Sequence, residues 1–138
     1  MPVVLINWLA VAVSAVAMVI VGAIWYAPLF FGRLWMKYVG VTAEMMKEKK
    51  KDAWKGYVGM LISALVTSYV LAYLVGALGA KTAMAGALVG IWSWLGFVAT
   101  TTSSAVLFES RKLGWYLLTN GYTVIAFGIV GTILAVWK

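Results

Sequence analysis

Few groups in this chain could do chemistry. Cysteine and histidine are absent, and only four residues are acidic. Thiolate nucleophiles, disulfides, imidazole bases and the usual ligands of zinc, copper or haem are therefore excluded. Three of the acids, Glu44, Glu48 and Asp52, fall in one charged segment, which leaves Glu109 as the acid whose position calls for an explanation. It follows the run Thr100-Thr101-Thr102-Ser103-Ser104. On a straight helix Thr101, Ala105 and Glu109 form one stripe, and Ser93, Thr100 and Ser104 form another. A hydroxylated stripe ending at a carboxylate has the chemistry of a cation path. The competing reading is that each hydroxyl bonds a carbonyl of its own helix and lets neighbouring helices approach.

Two amides complete the set, Asn7 near the start of the chain and Asn120 shortly after Glu109. Arg111 and Lys112 lie too close in sequence to pair well with Glu109 on a helix. Arg33 is the expected partner, because a guanidinium can bind a carboxylate through two parallel hydrogen bonds. Glu109, Arg33, Thr101, Asn120 and Asn7 are thus the candidate polar pathway or structural lock. No nucleophile stands beside a base, so the sequence leans away from an enzyme and implies no cofactor, metal or catalytic residue.

The elements that must position these groups are set by hydropathy. Of the 138 residues 64% are hydrophobic and 11% charged, with a mean hydropathy of +0.99. A soluble domain of this length could not hide that much apolar surface. A bilayer needs about 20 apolar residues per helical span, and four stretches qualify: Val3 to Ala27, Tyr57 to Leu78, Ala83 to Phe108 and Trp115 to Trp137. The first reads as a retained span, since no Lys or Arg precedes its long apolar run. Apolar stretches such as Leu71 to Ala80 lack the alternation of a membrane barrel. The expected fold is an all-α integral membrane protein with four transmembrane helices, forming a single domain over residues 1–138.

The net charge of +7 is distributed unevenly. Arg33, Lys37, Lys47, Lys49, Lys50, Lys51 and Lys55 follow the first span, and Arg111 and Lys112 follow the third; only Lys81 and Lys138 fall on the other side. The positive-inside rule then places loops 28–56 and 109–114 in the cytoplasm and both termini outside a cell membrane. Cations beside spans point to anionic lipid headgroups as the partner, and against nucleic acid. Pro28 ends or kinks the first span. From Leu29 to Tyr38 an apolar segment carrying Arg33 and Lys37 four apart predicts a short interfacial helix. From Thr42 to Lys55 each acid meets a lysine three residues on, which predicts a charged cytoplasmic helix running into the second span.

Other patterns concern packing. Trp92 and Trp94 fall near the middle of the third span and read as packing residues. Gly86 and Gly90, and Gly59, Ser63 and Thr67, have small-residue spacing suited to close helix approach. Leu29-Phe30-Phe31-Gly32-Arg33 and Leu107-Phe108-Glu109-Ser110-Arg111 share a Leu-Phe-x-x-Arg pattern, and Gly56-Tyr57 is echoed by Gly121-Tyr122. These landmarks fit two parallel helix-hairpin repeats related by an axis along the membrane normal, although apolar helices also match by chance.

Gly22 to Met36, containing Trp25, Tyr26, Pro28 and Gly32, together with Leu107-Phe108 and Asn120-Gly121-Tyr122, resembles the small prokaryotic membrane-protein family catalogued as domain of unknown function family 1761. The family usually has Ser at the place of Ala27 and Lys at that of Arg33. The resemblance implies a compact four-span protein and brings no substrate or reaction. On the residues, the expected function is a homo-oligomer providing a path for an ion or small solute. The alternative is a non-conducting structural or accessory protein whose basic loop binds anionic lipid or a partner protein.

Overall fold

The computed structural model describes all 138 residues. The chain is helical throughout its ordered elements: α1 (Trp8–Trp25), α2 (Gly32–Val39), α3 (Ala43–Glu48), α4 (Ala53–Ala77), α5 (Ala83–Trp94), α6 (Thr100–Phe108) and α7 (Leu113–Val136). A 3₁₀ turn, Lys49–Asp52, joins α3 to α4, so that 43–77 is one nearly continuous rod. A π-helical turn, Leu95–Ala99, joins α5 to α6 within the third apolar stretch. Four helices are long and apolar enough to cross a membrane: 8–25, 43–77, 83–108 and 113–136.

Local chemistry explains the ends. Asn7 caps α1 by accepting from the Ala10 amide at 3.1 Å, which starts this helix later than the apolar run alone suggests. Thr42 and Thr82 cap α3 and α5 in the same way. Three residues before Pro28, α1 stops at Trp25; the chain then turns through 26–31, held by Phe31 N–H to the Trp25 carbonyl at 3.1 Å and Gly32 N–H to that of Ala27 at 3.1 Å. Gly40 ends α2 in the left-handed region, at φ 73°.

The last helix is the centre of the bundle. It packs most closely along α5, then along α1 and α4, while α5 touches α4 only lightly. The α5–α7 approach depends on the absence of side chains: a Cβ on Gly86 would collide with the Gly131 carbonyl, and one on Gly90 with that of Phe127. The Gly86–Gly90 pair therefore acts within the chain. Gly59 meets nothing within 4 Å and Ser63 is exposed, so the second small-residue series makes no such contact. Ala10, Val11, Leu71, Val75, Val130 and Leu134 form a dry core between α1, α4 and α7. The outer surface is apolar as well, with Val16, Ile20, Ile62, Val66 and Leu88 exposed, as expected where lipid replaces water.

Candidate functional site

Two clusters of polar and aromatic groups lie in the half of the bundle nearer segments 26–52 and 109–112, reaching as far as mid-span. The first joins α6 to α7. On α7, Tyr116, Asn120 and Thr123 are spaced four and three apart and share one face. Tyr116 donates its hydroxyl to the Ala99 carbonyl at 2.8 Å. Asn120, only 4% exposed, donates through Nδ2 to Thr102 Oγ1 and to the Tyr116 carbonyl, each at 3.1 Å. The Thr102 hydroxyl proton goes to the Val98 carbonyl at 2.7 Å, which leaves its oxygen free to accept from Asn120. One turn further on, Thr123 accepts from the Trp94 indole at 2.9 Å.

The π turn selects these partners. Above it the buried residues of the third span are Gly86, Gly90 and Ser93. A straight helix would continue that face through Phe97, Thr101 and Ser104. Because a π turn inserts one extra residue, the face passes instead to Ala99, Thr102 and Ala105, and Thr101 and Ser104 point away from the bundle. The sequence pattern named Thr101; the structure places Thr102 against Asn120. The α7 spacing of Tyr116, Asn120 and Thr123 was the signal available for this face.

Hydroxyls of the Thr100–Ser104 run all bond their own helix: Thr100 to Gly96, Thr101 to Phe97, Ser103 to Thr100 and Ser104 to Thr101, at 2.6 to 2.9 Å. They line no path within the chain. Glu109 is exposed, and the expected Glu109–Arg33 ion pair does not form. The only ion pair is Lys55–Asp52 at 3.4 Å, on the surface. Two features separate Glu109 from Arg33. Arg33 lies on α2, which rests against the start of α7, with Tyr38 over Gly114. Glu109 ends α6, where Ser110 turns the chain in the left-handed region at φ 58°. Nor do Glu44 and Glu48 pair with the lysines three residues on: all of these side chains are exposed and none of them lies within ion-pair distance. Of the two mid-span tryptophans Trp94 packs as expected, whereas Trp92 is 69% exposed and does not.

The second cluster gathers the residues of the first motif onto α7. Trp25 donates its indole N–H to the Leu118 carbonyl at 3.0 Å and tilts against Phe31, with ring centroids 4.5 Å apart. A Cβ on Gly121 would lie 2.9 Å from the Trp25 ring, which explains glycine there. Tyr122 donates to the Met18 carbonyl at 2.9 Å, and Tyr26 meets both Tyr122 and Trp35 edge to face. Gly32 is required by the turn, where a Cβ would strike the Tyr26 carbonyl. Pro28 lies exposed in that turn, and Leu107 and Phe108 are exposed on α6, so these three stand outside the cluster. The hydroxyls of Ser14, Ser68 and Thr119 are buried without a partner. Ser14 and Ser68 behave in their helices as small residues of the kind that permit close packing.

No group of acids with metal-binding geometry is present. The arrangement is a set of hydrogen-bonded and aromatic locks between helices, with a basic surface beside it. Such a fold defines a class: an all-helical chain with four helices able to cross a membrane. Residues 9–135 match the family described as Protein of unknown function (DUF1761), and the chain belongs to that family. No curated protein and no solved structure matches it.

Proposed function

We propose that this protein is a non-conducting structural or accessory protein of the cell membrane whose basic cytoplasmic face grips anionic lipid headgroups. The observation that carries the reading is a contrast between inside and outside. The buried polar side chains are few: Ser14, Ser68, Ser93 and Asn120, with the hydroxyls of Thr119 and Tyr122. They do not connect into a file, and the core between α1, α4 and α7 is aliphatic. Outside, Arg33, Lys37, Lys47, Lys49, Lys50, Lys51, Lys55, Arg111 and Lys112 are all exposed at one end of the bundle, and only Lys55 has an acidic partner.

Beside Arg33 the apolar Leu29, Phe30 and Leu34 are exposed too. That combination of cations and wedge-like apolar groups suits α2 lying in the headgroup layer, with the charged α3 projecting beyond it. Loops 28–56 and 109–114 then face the cytoplasm, and both termini lie outside. The hairpins α1–α4 and α5/α6–α7 are read as parallel repeats; in support, α4 and α7 touch each other and each also meets the opposite hairpin's first span, α7 closely on α1 and α4 lightly on α5. The close glycine contact belongs to the second hairpin alone.

The test is reconstitution into vesicles with and without phosphatidylglycerol. The expected result is retention of anionic lipid through purification, with ion flux no greater than in protein-free vesicles. Flux above that background would overturn the non-conducting reading. It would favour a second one, a homo-oligomeric path between copies, which Thr101 and Glu109 facing out of the bundle would suit.

A further inference from the structure

The π turn sets which face of α6 meets α7, and a threonine stands on either side of the choice, Thr102 inward and Thr101 outward. Straight continuation of Gly90 and Ser93 would turn Phe97, Thr101 and Ser104 inward. In the structure these are outward, with Phe97 72% exposed, and Ala99, Thr102 and Ala105 take their place. Four successive carbonyls of the turn each receive a hydroxyl: Gly96 from Thr100 at 2.7 Å, Phe97 from Thr101 at 2.6 Å, Val98 from Thr102 at 2.7 Å and Ala99 from Tyr116 at 2.8 Å.

We propose that the third span is a two-register helix, in which loss of the π turn rotates α6 and exchanges Thr102 for Thr101 against Asn120. One residue of register is a rotation of about 100°. The exchange conserves chemistry, because Thr101 carries the same hydroxyl and methyl and already bonds the carbonyl four residues back. Little packing opposes it: α6 touches α7 only lightly compared with α5, and a side chain at Gly96 would meet nothing within 4 Å. At its far end α6 meets the short exposed segment 109–112, with Ser110 in the left-handed region, which is free to absorb the rotation. The rotation would move Phe97, Thr101 and Ser104 from lipid to α7. A π turn inside an apolar span is thus a bistable element.

The cysteine-free chain allows a direct test by oxidative cross-linking in membranes. Thr102→Cys with Asn120→Cys should cross-link fastest, and Thr101→Cys with Asn120→Cys should cross-link too, more slowly. Thr100→Cys with Asn120→Cys is the background. Deletion of Gly96 removes the extra residue and fixes Thr102 inward; the Thr101 cross-link should then fall to background while that of Thr102 persists. A second measurement keeps Asn120 intact: a nitroxide at Phe97→Cys should give a mobile and an immobilised component, the latter lost on deletion of Gly96. A Thr101 cross-link at background in the parent, or a single mobile nitroxide component before and after the deletion, overturns the proposal.

Discussion

Asn120 donates to Thr102 over 3.1 Å, and these two are the sole residues whose side chains hydrogen-bond between α6 and α7. Its removal should be felt in a helix that otherwise packs lightly. Thr102→Val leaves the amide one partner short and is expected to lower unfolding free energy in mixed micelles by about 1 kcal/mol. Thr101→Val removes a hydroxyl that bonds only its own helix, and should change stability by less than about 0.5 kcal/mol. Equal losses at the two positions would show that the Asn120 contact has no structural weight.

The glycines divide just as sharply. Gly90→Ala forces a methyl into the Phe127 carbonyl, and overpacking of this kind costs roughly 1–3 kcal/mol. Gly59→Ala meets open space, so it should be neutral, or stabilising by up to about 1 kcal/mol from helix propensity. Denaturant titration of both variants checks the assignment of the close contact to α5 and α7.

Hydropathy and turn chemistry made the four apolar helices, the stop before Pro28 and the helix carrying Arg33 and Lys37 legible in the sequence, since each depends on composition over many residues or on one strong local breaker. The site was legible only in part. Asn120 stood out because an amide in an apolar span needs a partner, but which threonine supplies it depends on an inserted π residue. Neither Gly96 nor Val98 marks that insertion, so a period of 3.6 carried past Trp94 points to the wrong face. Glu109 was misjudged for a related reason. Arg33 is carried by α2, which rests against the start of α7, and similar Leu-Phe-x-x-Arg spacing does not fix how two helices diverge.

Glu109→Gln should therefore be nearly silent. The carboxylate is exposed and has no ion-pair partner in the chain, so the expected change in unfolding free energy is below about 1 kcal/mol. A loss of several kcal/mol would show that Glu109 is buried in an assembly of copies.

Orientation can be read with single cysteines in the cysteine-free background. With both basic loops in the cytoplasm, cysteines at Lys50 and Lys112 should be shielded from an impermeant reagent in intact cells, and those at Lys81 and Lys138 should react. The inverse pattern would place the basic face outside and remove the physical ground for lipid binding there, since the anionic surface potential invoked belongs to the cytoplasmic leaflet.

The strongest demand falls on the lysines. Lys47, Lys49, Lys50 and Lys51 are exposed and lack ion-pair partners, so their charge is available to the headgroup layer at no cost in broken pairs. Replacing all four by Gln should leave the melting temperature in uncharged detergent unchanged, because none of them contacts the core. Retention of phosphatidylglycerol over phosphatidylcholine, read by native mass spectrometry, should fall on the order of tenfold or more. Salt supplies an independent check: the Debye length shrinks from about 10 Å at 0.1 M to about 3 Å at 1 M. The parent's preference for anionic lipid should therefore collapse over that range, and the variant's should barely move. If the variant keeps the parent's preference, or if the preference survives high salt, the lipid is held by groups other than these lysines, and the basic face has to be read as a docking surface for a partner protein instead.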